Sequence, residues 1–151
     1  MKTSPLFTAA LSMAGIAIAA PSSSYPYSIG ELSLKHLIES QTWDFTFTLT
    51  ERSPSGEAQG STNCHVGWVN GDVAVPPASP APCDDTRFHF FFPTGASNDE
   101  NYDLAIEGPV GTGSTEIIAG PKYQCGPYDG PIGNIDRECK IVNGGAFYVK
   151  V

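Results

Sequence analysis

The sequence predicts an all-β fold: a compact antiparallel barrel or sandwich of about seven to eight short strands, held by two disulfides. Three observations support this prediction. Several short segments alternate apolar and polar residues, 16 glycines and 13 prolines punctuate the chain, and the cysteines number four. No segment has the periodicity of a helix longer than about two turns. We find no internal repeat.

The clearest alternation lies in residues 41–49. Its apolar members are Trp43, Phe45, Phe47 and Leu49, and the residues between them are polar. A period of two places one set of side chains in a core and the other in water. Residues 27–38 fit both a strand and one face of a helix, and we favour the strand because Leu32, Leu34, His36 and Ile38 alternate with the residues between them.

Further strands are predicted at residues 62–69, 87–92, 102–107, 115–119 and 146–151. Turn-forming residues separate them, with the clearest turns at residues 53–56 and at Asn70-Gly71. In the strand at 87–92, the even-numbered phenylalanines face one way. Arg87, His89 and Phe91 face the other way.

The N-terminus has the layout of a secretory leader. Lys2 precedes an apolar stretch that ends in the small-x-small sequence Ala17-Ile18-Ala19. The stretch is shorter than the roughly 20 residues needed to span a bilayer. We therefore predict a signal peptide at residues 1–19, a loose lead-in at 20–26 and a single β-barrel domain at 27–151. The predicted location is extracellular.

An even number of cysteines in an exported protein indicates a disulfide framework. Three pairings of the four cysteines can be drawn. We favour Cys64 with Cys83 and Cys125 with Cys139, because each of these pairs brackets a Pro/Gly-rich segment. The sequence has no C-x-x-C motif, and its histidines lack ligand spacing relative to the cysteines. We expect no metal and no cofactor.

The formal net charge of −8 argues against a nucleic-acid partner, which requires a stripe of basic residues. The basic residues here are scattered singly. The same distribution argues against binding to an anionic membrane surface.

Catalytic motifs are sparse. We find no nucleophile elbow and no free cysteine. Paired carboxylates are the residues that glycoside hydrolysis needs. The candidate pairs are Asp84-Asp85, Asp99-Glu100 and Asp136 with Glu138, all placed by the sequence in loops, where solvated acids are common. We expect that the protein is not an enzyme, with a secreted hydrolase acting on cell-wall polymers as the alternative.

An outward aromatic is unusual on a strand. Phe91 shares its face with Arg87 and His89, and aromatic residues are enriched in interface hot spots. This face is a candidate contact surface. The alternative is that a loop or the N-terminal segment covers Phe91.

The predicted domain as a whole resembles the small secreted fungal β-barrel proteins grouped around the major Alternaria allergen. Within that group it is most similar to elicitors that induce a hypersensitive response. The resemblance rests on the early segment Tyr27-Ser28-Ile29, the aromatic strand at 43–49, the phenylalanine-rich strand after Cys83, two late cysteines around a Gly-rich loop, and a final strand. It implies a compact antiparallel barrel, and it supports the local cysteine pairing. The cysteine that links the allergen into a dimer has no counterpart here, so we expect a monomer or a non-covalent dimer.

The resemblance implies a secreted elicitor or effector that plants perceive. Its expected partner is a plant surface or apoplastic protein, and the expected responses are defence and cell death. A carrier of a small apolar ligand is a further alternative, because barrels of about eight strands can enclose one small molecule. We rank the carrier third, since the predicted core aromatics leave little room.

Overall fold

The computed structural model describes residues 25–69, 79–96, 98–130 and 133–151. The predicted signal peptide, most of the lead-in, the Asn70-Gly71 turn and the prolines at 76 and 77 lie outside the described residues. No helix in these described ranges is long and apolar enough to cross a membrane.

The described residues form ten strands and confirm the all-β prediction. They are β1 (Tyr27–Leu37), β2 (Thr42–Arg52), β3 (Ala58–Val69), β4 (Ala81–Pro82), β5 (His89–Phe91), β6 (Asn101–Gly108), β7 (Gly111–Ile118), β8 (Tyr123–Pro127), β9 (Ile135–Ile141) and β10 (Phe147–Val149). Strands β8 and β9 were not predicted, and each contains one of the last two cysteines, Cys125 and Cys139. The two-residue strand β4 was not predicted either. The predicted strand at residues 27–38 is confirmed as β1.

The strands form two antiparallel sheets. The first has the order β3-β2-β1-β9-β8, with β10 also paired to β1, and the second has the order β4-β5-β6-β7. Isolated bridges join the sheets at two places, Cys64 to Cys83 and Ser114 to Lys150. The eight strands other than β8 and β9 therefore close into a barrel, from which β9 and β8 branch.

A bulge in β1 explains how one edge of that strand pairs with both β10 and β9, while the other edge pairs with β2. The register against β2 shifts between Gly30 and Ser33, and Glu31 has a φ of 49°. The Thr48 hydroxyl donates a 2.8 Å hydrogen bond to the Glu31 carboxylate. An extra residue in one strand bends it. The first part of β1 pairs with β10 and the second part with β9.

Both disulfides join opposed residues of neighbouring chain segments. Cys64 of β3 pairs with Cys83 beside β4, so this bond connects the two sheets. Cys125 and Cys139 lie opposite each other in β8 and β9 of the first sheet. The local pairing predicted from the sequence is confirmed.

Aromatic rings fill the space between the sheets. The Phe45 ring lies 5.1 Å from Phe92, 5.5 Å from Phe47 and 6.1 Å from both Phe90 and Tyr102, measured between centroids. Close-packed interiors of this kind take most of their stability from apolar surface removed from water. The predicted inward faces of the strands at 41–49 and 87–92 are confirmed.

Candidate functional site

The outward-facing side of the second sheet carries the contact residues predicted from the sequence. His89 and Phe91 lie on β5, half-buried, while Phe88, Phe90 and Phe92 are buried. Phe91 is opposite Ala105 on β6, and His89 is opposite Glu107. The alternation of β5 therefore places these two side chains on the outer face.

Arg87 precedes β5 and forms an ion pair with Asp85. Its Nη2 and Nε donate to Asp85 at 2.7 Å and 3.1 Å, and its guanidinium lies 5.3 Å from the centre of the Phe88 ring. These hydrogen bonds lower the pKa of the Asp85 carboxyl. Arg87 is thus held in place with its charge balanced by a local partner.

Three further carboxylates lie on this face and were not singled out in the sequence. Asp103 and Glu107 alternate along β6 with buried residues, and Glu116 lies opposite Asp103 on β7. The period of two between Tyr102 and Glu107 places Asp103 and Glu107 on a common face. Their alignment with Phe91 depends on strand register, which sequence periodicity does not supply.

Five of the six acids proposed for hydrolysis, all except Asp84, lie within hydrogen-bonding distance of a basic side chain. Asp99 and Glu100 both accept hydrogen bonds from Arg137. Asp136 lies 2.7 Å from His36 Nδ1, and Glu138 accepts a 2.7 Å bond from Lys140. The expectation that all these acids lie in loops is wrong for Asp136 and Glu138, which are in β9, because Cys139 and its neighbours pair with β1 and β8.

A small polar hollow of about 100 Å³ lies beside Asp85. Its lining residues include Glu51, Ser61, Asp85 and Arg87. A general acid in glycoside hydrolysis needs a raised pKa, whereas Arg87 lowers that of Asp85. The lowered pKa of Asp85 therefore disfavours the role of general acid and does not bear on the role of the ionised carboxylate in such a pair.

A buried polar network adjoins the second disulfide. The Tyr102 hydroxyl donates to the Tyr123 hydroxyl at 3.2 Å, and Tyr123 donates to the Asp99 backbone carbonyl at 3.0 Å. Burial raises the pKa of both phenols. Arg137, which donates to the Asp99 side chain, completes the connection between β9 and the loop before β6.

The Asp99 carboxylate also lies close to the sulfurs of Cys125 and Cys139. Metal coordination by cysteine requires a thiolate, and both sulfurs are consumed in the disulfide. The cluster thus lacks the donor set of a zinc site. The contacts of Asp99 instead hold β8, β9 and the loop before β6 together.

The interior offers no support for the ligand-carrier alternative among the described residues. The Phe47 and Phe90 rings meet edge to face at 5.0 Å across the two sheets. Side chains of this size occupy the position that a ligand takes in those barrels of about eight strands that carry one.

Comparisons with known proteins give one structural likeness. No family model matches the chain, and no curated protein matches it. The crystal structure of the Alternaria alternata major allergen Alt a 1 is similar with a TM-score of 0.46 and 14% sequence identity. The likeness covers 85% of this chain and 94% of the allergen chain. The protein group that the sequence resembles is the one grouped around this allergen.

Proposed function

We propose that this chain is a secreted elicitor that a plant protein recognises through direct contact with the folded surface, and that it performs no catalysis. The observation that carries the proposal is the pairing of the candidate catalytic acids. Asp85, Asp99 and Asp136 each have a basic side chain as partner.

Three further features support an extracellular role. The leader-like N-terminus predicts export. Disulfides form and persist in oxidising compartments, and all four cysteines are paired. The sequence resemblance to hypersensitive-response elicitors then suggests a plant as the organism that responds.

The test is infiltration of leaves with oxidised protein, purified from the medium of a secreting yeast that expresses the full chain. We expect ion leakage and defence-gene induction in at least one host. A D84N variant, which removes an exposed candidate catalytic acid that has no part in holding Arg87, should be equally active. Inert wild-type protein across several hosts contradicts the elicitor role.

A hydrolase assay tests the main alternative to the elicitor role, a secreted hydrolase acting on cell-wall polymers. Incubation of the same preparation with isolated plant and fungal cell-wall polymers should release no reducing sugar. Sugar release by the wild type, lost in D85N or in a D99N variant that still folds, would establish the hydrolase and overturn the non-catalytic proposal.

A further inference from the structure

We propose that reduction of the Cys125–Cys139 disulfide creates a Zn²⁺ site whose protein ligands are the two cysteine thiolates and the Asp99 carboxylate. In the oxidised protein the two sulfurs are bonded to each other and do not act as thiolate ligands. The site therefore exists only in the reduced protein. This inference goes beyond the elicitor role and does not depend on it.

The two disulfides differ in their exposure to an external thiol. Cys64 and Cys83 expose 2% and 5% of their surfaces. Cys125 is half-buried and lies on β8, the last strand of the first sheet. A thiolate must reach a disulfide sulfur to break the bond, and exposed disulfides are the labile ones. We therefore expect the second disulfide to be reduced first, through attack on the Cys125 sulfur.

The reduction needs a dithiol as the reductant. One thiolate of the dithiol attacks the Cys125 sulfur, which forms a mixed disulfide and releases Cys139. The second thiolate of the dithiol then displaces Cys125, and the reductant leaves as its own disulfide. Two electrons and two protons have passed to the cysteines, which are now thiols. Binding of Zn²⁺ releases both thiol protons to the solvent.

Asp99 supplies a third donor atom at the distance that zinc requires. Its Oδ2 lies 3.6 Å from Cys139 Sγ, and the donor atoms of Asp99, Cys125 and Cys139 all lie within 4.8 Å of one another. With Zn–O at about 2.0 Å and Zn–S at about 2.3 Å, a tetrahedral angle separates the oxygen from the sulfur by roughly 3.5 Å. Only the two sulfurs must move apart, to roughly 3.8 Å, by rotation about their Cα–Cβ bonds.

Contacts other than the disulfide hold the three ligands together. Strand β9 pairs with β1 on one side and with β8 on the other, so Cys139 keeps both neighbouring strands when the S–S bond breaks. The Asp99 backbone carbonyl accepts a hydrogen bond from Tyr123, and the Asp99 carboxylate accepts one from Arg137. A site that is formed before its ligand arrives binds with a smaller cost in ordering.

The donor set selects zinc over magnesium and calcium. Thiolates are soft ligands that suit Zn²⁺, whereas Mg²⁺ and Ca²⁺ prefer oxygen ligands. The nearby positive charge of Arg137 is itself balanced by Glu100, which accepts a hydrogen bond from the same guanidinium. A divalent cation therefore meets three negative ligands. Three protein ligands leave the fourth tetrahedral position to a water molecule.

The direct test begins with mild anaerobic reduction of the oxidised protein by dithiothreitol, followed by removal of the reductant. Alkylation and peptide mass spectrometry of one portion should find Cys125 and Cys139 modified first. Titration of the other portion with Co²⁺, a spectroscopic substitute for Zn²⁺, should produce thiolate-to-cobalt absorption, which added Zn²⁺ should abolish. The oxidised protein should give no such absorption. Earlier reduction of Cys64 and Cys83, or a reduced protein without this absorption, would overturn the proposal.

D99N and E100Q form a matched pair of variants. Each removes one carboxylate that accepts a hydrogen bond from Arg137, but only Asp99 belongs to the cluster with the two sulfurs. We expect D99N to weaken Zn²⁺ binding by the reduced protein at least about tenfold, since even the outer-shell partners of a metal account for about 10–100-fold. E100Q should leave the affinity unchanged. Wild-type affinity in D99N, or equal weakening by both variants, contradicts the site.

NMR of the ¹⁵N-labelled, reduced wild type gives a readout that needs no variant. Addition of Zn²⁺ should shift the amide signals of Asp99, Cys125 and Cys139 and of their neighbours, with the rest of the folded spectrum unchanged. Loss of the folded spectrum before metal is added would contradict the claim that strand pairing holds the ligands. Shifts confined to other acidic positions would overturn the proposal. Neither result bears on the leaf response to the oxidised protein, which tests the elicitor role separately.

Discussion

The Tyr102 hydroxyl donates a hydrogen bond to the Tyr123 hydroxyl, and both phenols are largely enclosed by the protein. The Tyr123 hydroxyl in turn donates a hydrogen bond to the backbone carbonyl of Asp99. The two tyrosines thus connect β6 of the second sheet to β8 of the first. Asp99 in turn binds Arg137 of β9.

The order of donors predicts unequal effects of removing the two hydroxyls. Tyr123→Phe leaves the Tyr102 hydroxyl without its acceptor and should lower the free energy of unfolding by about 1–3 kcal/mol. Tyr102→Phe keeps the bond from Tyr123 to Asp99 and should lower it by about 0.5–1.5 kcal/mol. Urea denaturation measures both, with Tyr148→Phe as an exposed control near zero. A larger loss for Tyr102→Phe would show that the donor order is wrong.

The same tyrosines predict a loss of stability in alkali. Their pKa values are raised in the folded protein above the ordinary value of 10.0, chiefly because burial disfavours the phenolate. Above about pH 10 the unfolded chain releases these protons while the folded chain retains them, so the free energy of unfolding falls as pH rises. At lower pH this contribution is fully present.

Denaturation at a series of pH values from neutral to above 10 measures this slope. A Y102F/Y123F variant should have lower stability near neutral pH but a shallower decline in alkali. The burial of Tyr27, whose pKa is also raised, should preserve part of the decline. Parallel curves for the variant and the wild type would refute the assignment.

The closure of the barrel predicts a sensitive glycine. A Cβ added at Gly113 would come within 2.7 Å of the Lys150 carbonyl carbon, next to the bridge between Ser114 and Lys150. Because backbone atoms cannot move aside as a side chain can, Gly113→Ala should lower the free energy of unfolding by about 1–3 kcal/mol. Gly60→Ala, with open space around its Cβ, is the matched control. Equal stability of the two variants would contradict the closure at this bridge.

Sequence periodicity predicted the strands whose two faces differ most in polarity. Strand β2 alternates aromatic and threonine residues, and β5 alternates buried phenylalanines with outward residues, so a period of two was visible in both. Cysteine pairing was also predictable, since each local pair brackets a turn-rich segment. These patterns are local and need no knowledge of register.

Strands β8 and β9 were not predicted, for two different reasons. Strand β8 has only five residues and includes Gly126 and Pro127, which are poor strand formers. In β9 the half-buried Arg137 interrupts the apolar alternation. Its partner Asp99 is 38 residues away. Likewise, the alignment of Asp103 with Glu116 follows from the pairing of β6 and β7 and has no counterpart in the linear sequence.

The two disulfides should contribute similar stability. They close loops of similar length, with separations of 19 and 14 residues, and the entropy of loop closure varies only with the logarithm of length. C64A/C83A and C125A/C139A should each lower the free energy of unfolding by about 3 kcal/mol. Thermal and urea denaturation of both variants tests this. A loss confined to one of them would show that local packing, and not chain entropy, dominates.

The central claim is that the folded, disulfide-bonded surface produces the biological response. Infiltration of leaves with oxidised protein and with reduced, alkylated protein at equal concentration tests it most directly. We predict ion leakage and defence-gene induction by the oxidised sample alone. An equal response to the alkylated, unfolded sample would assign recognition to a linear peptide, and no response to either sample would contradict the elicitor role.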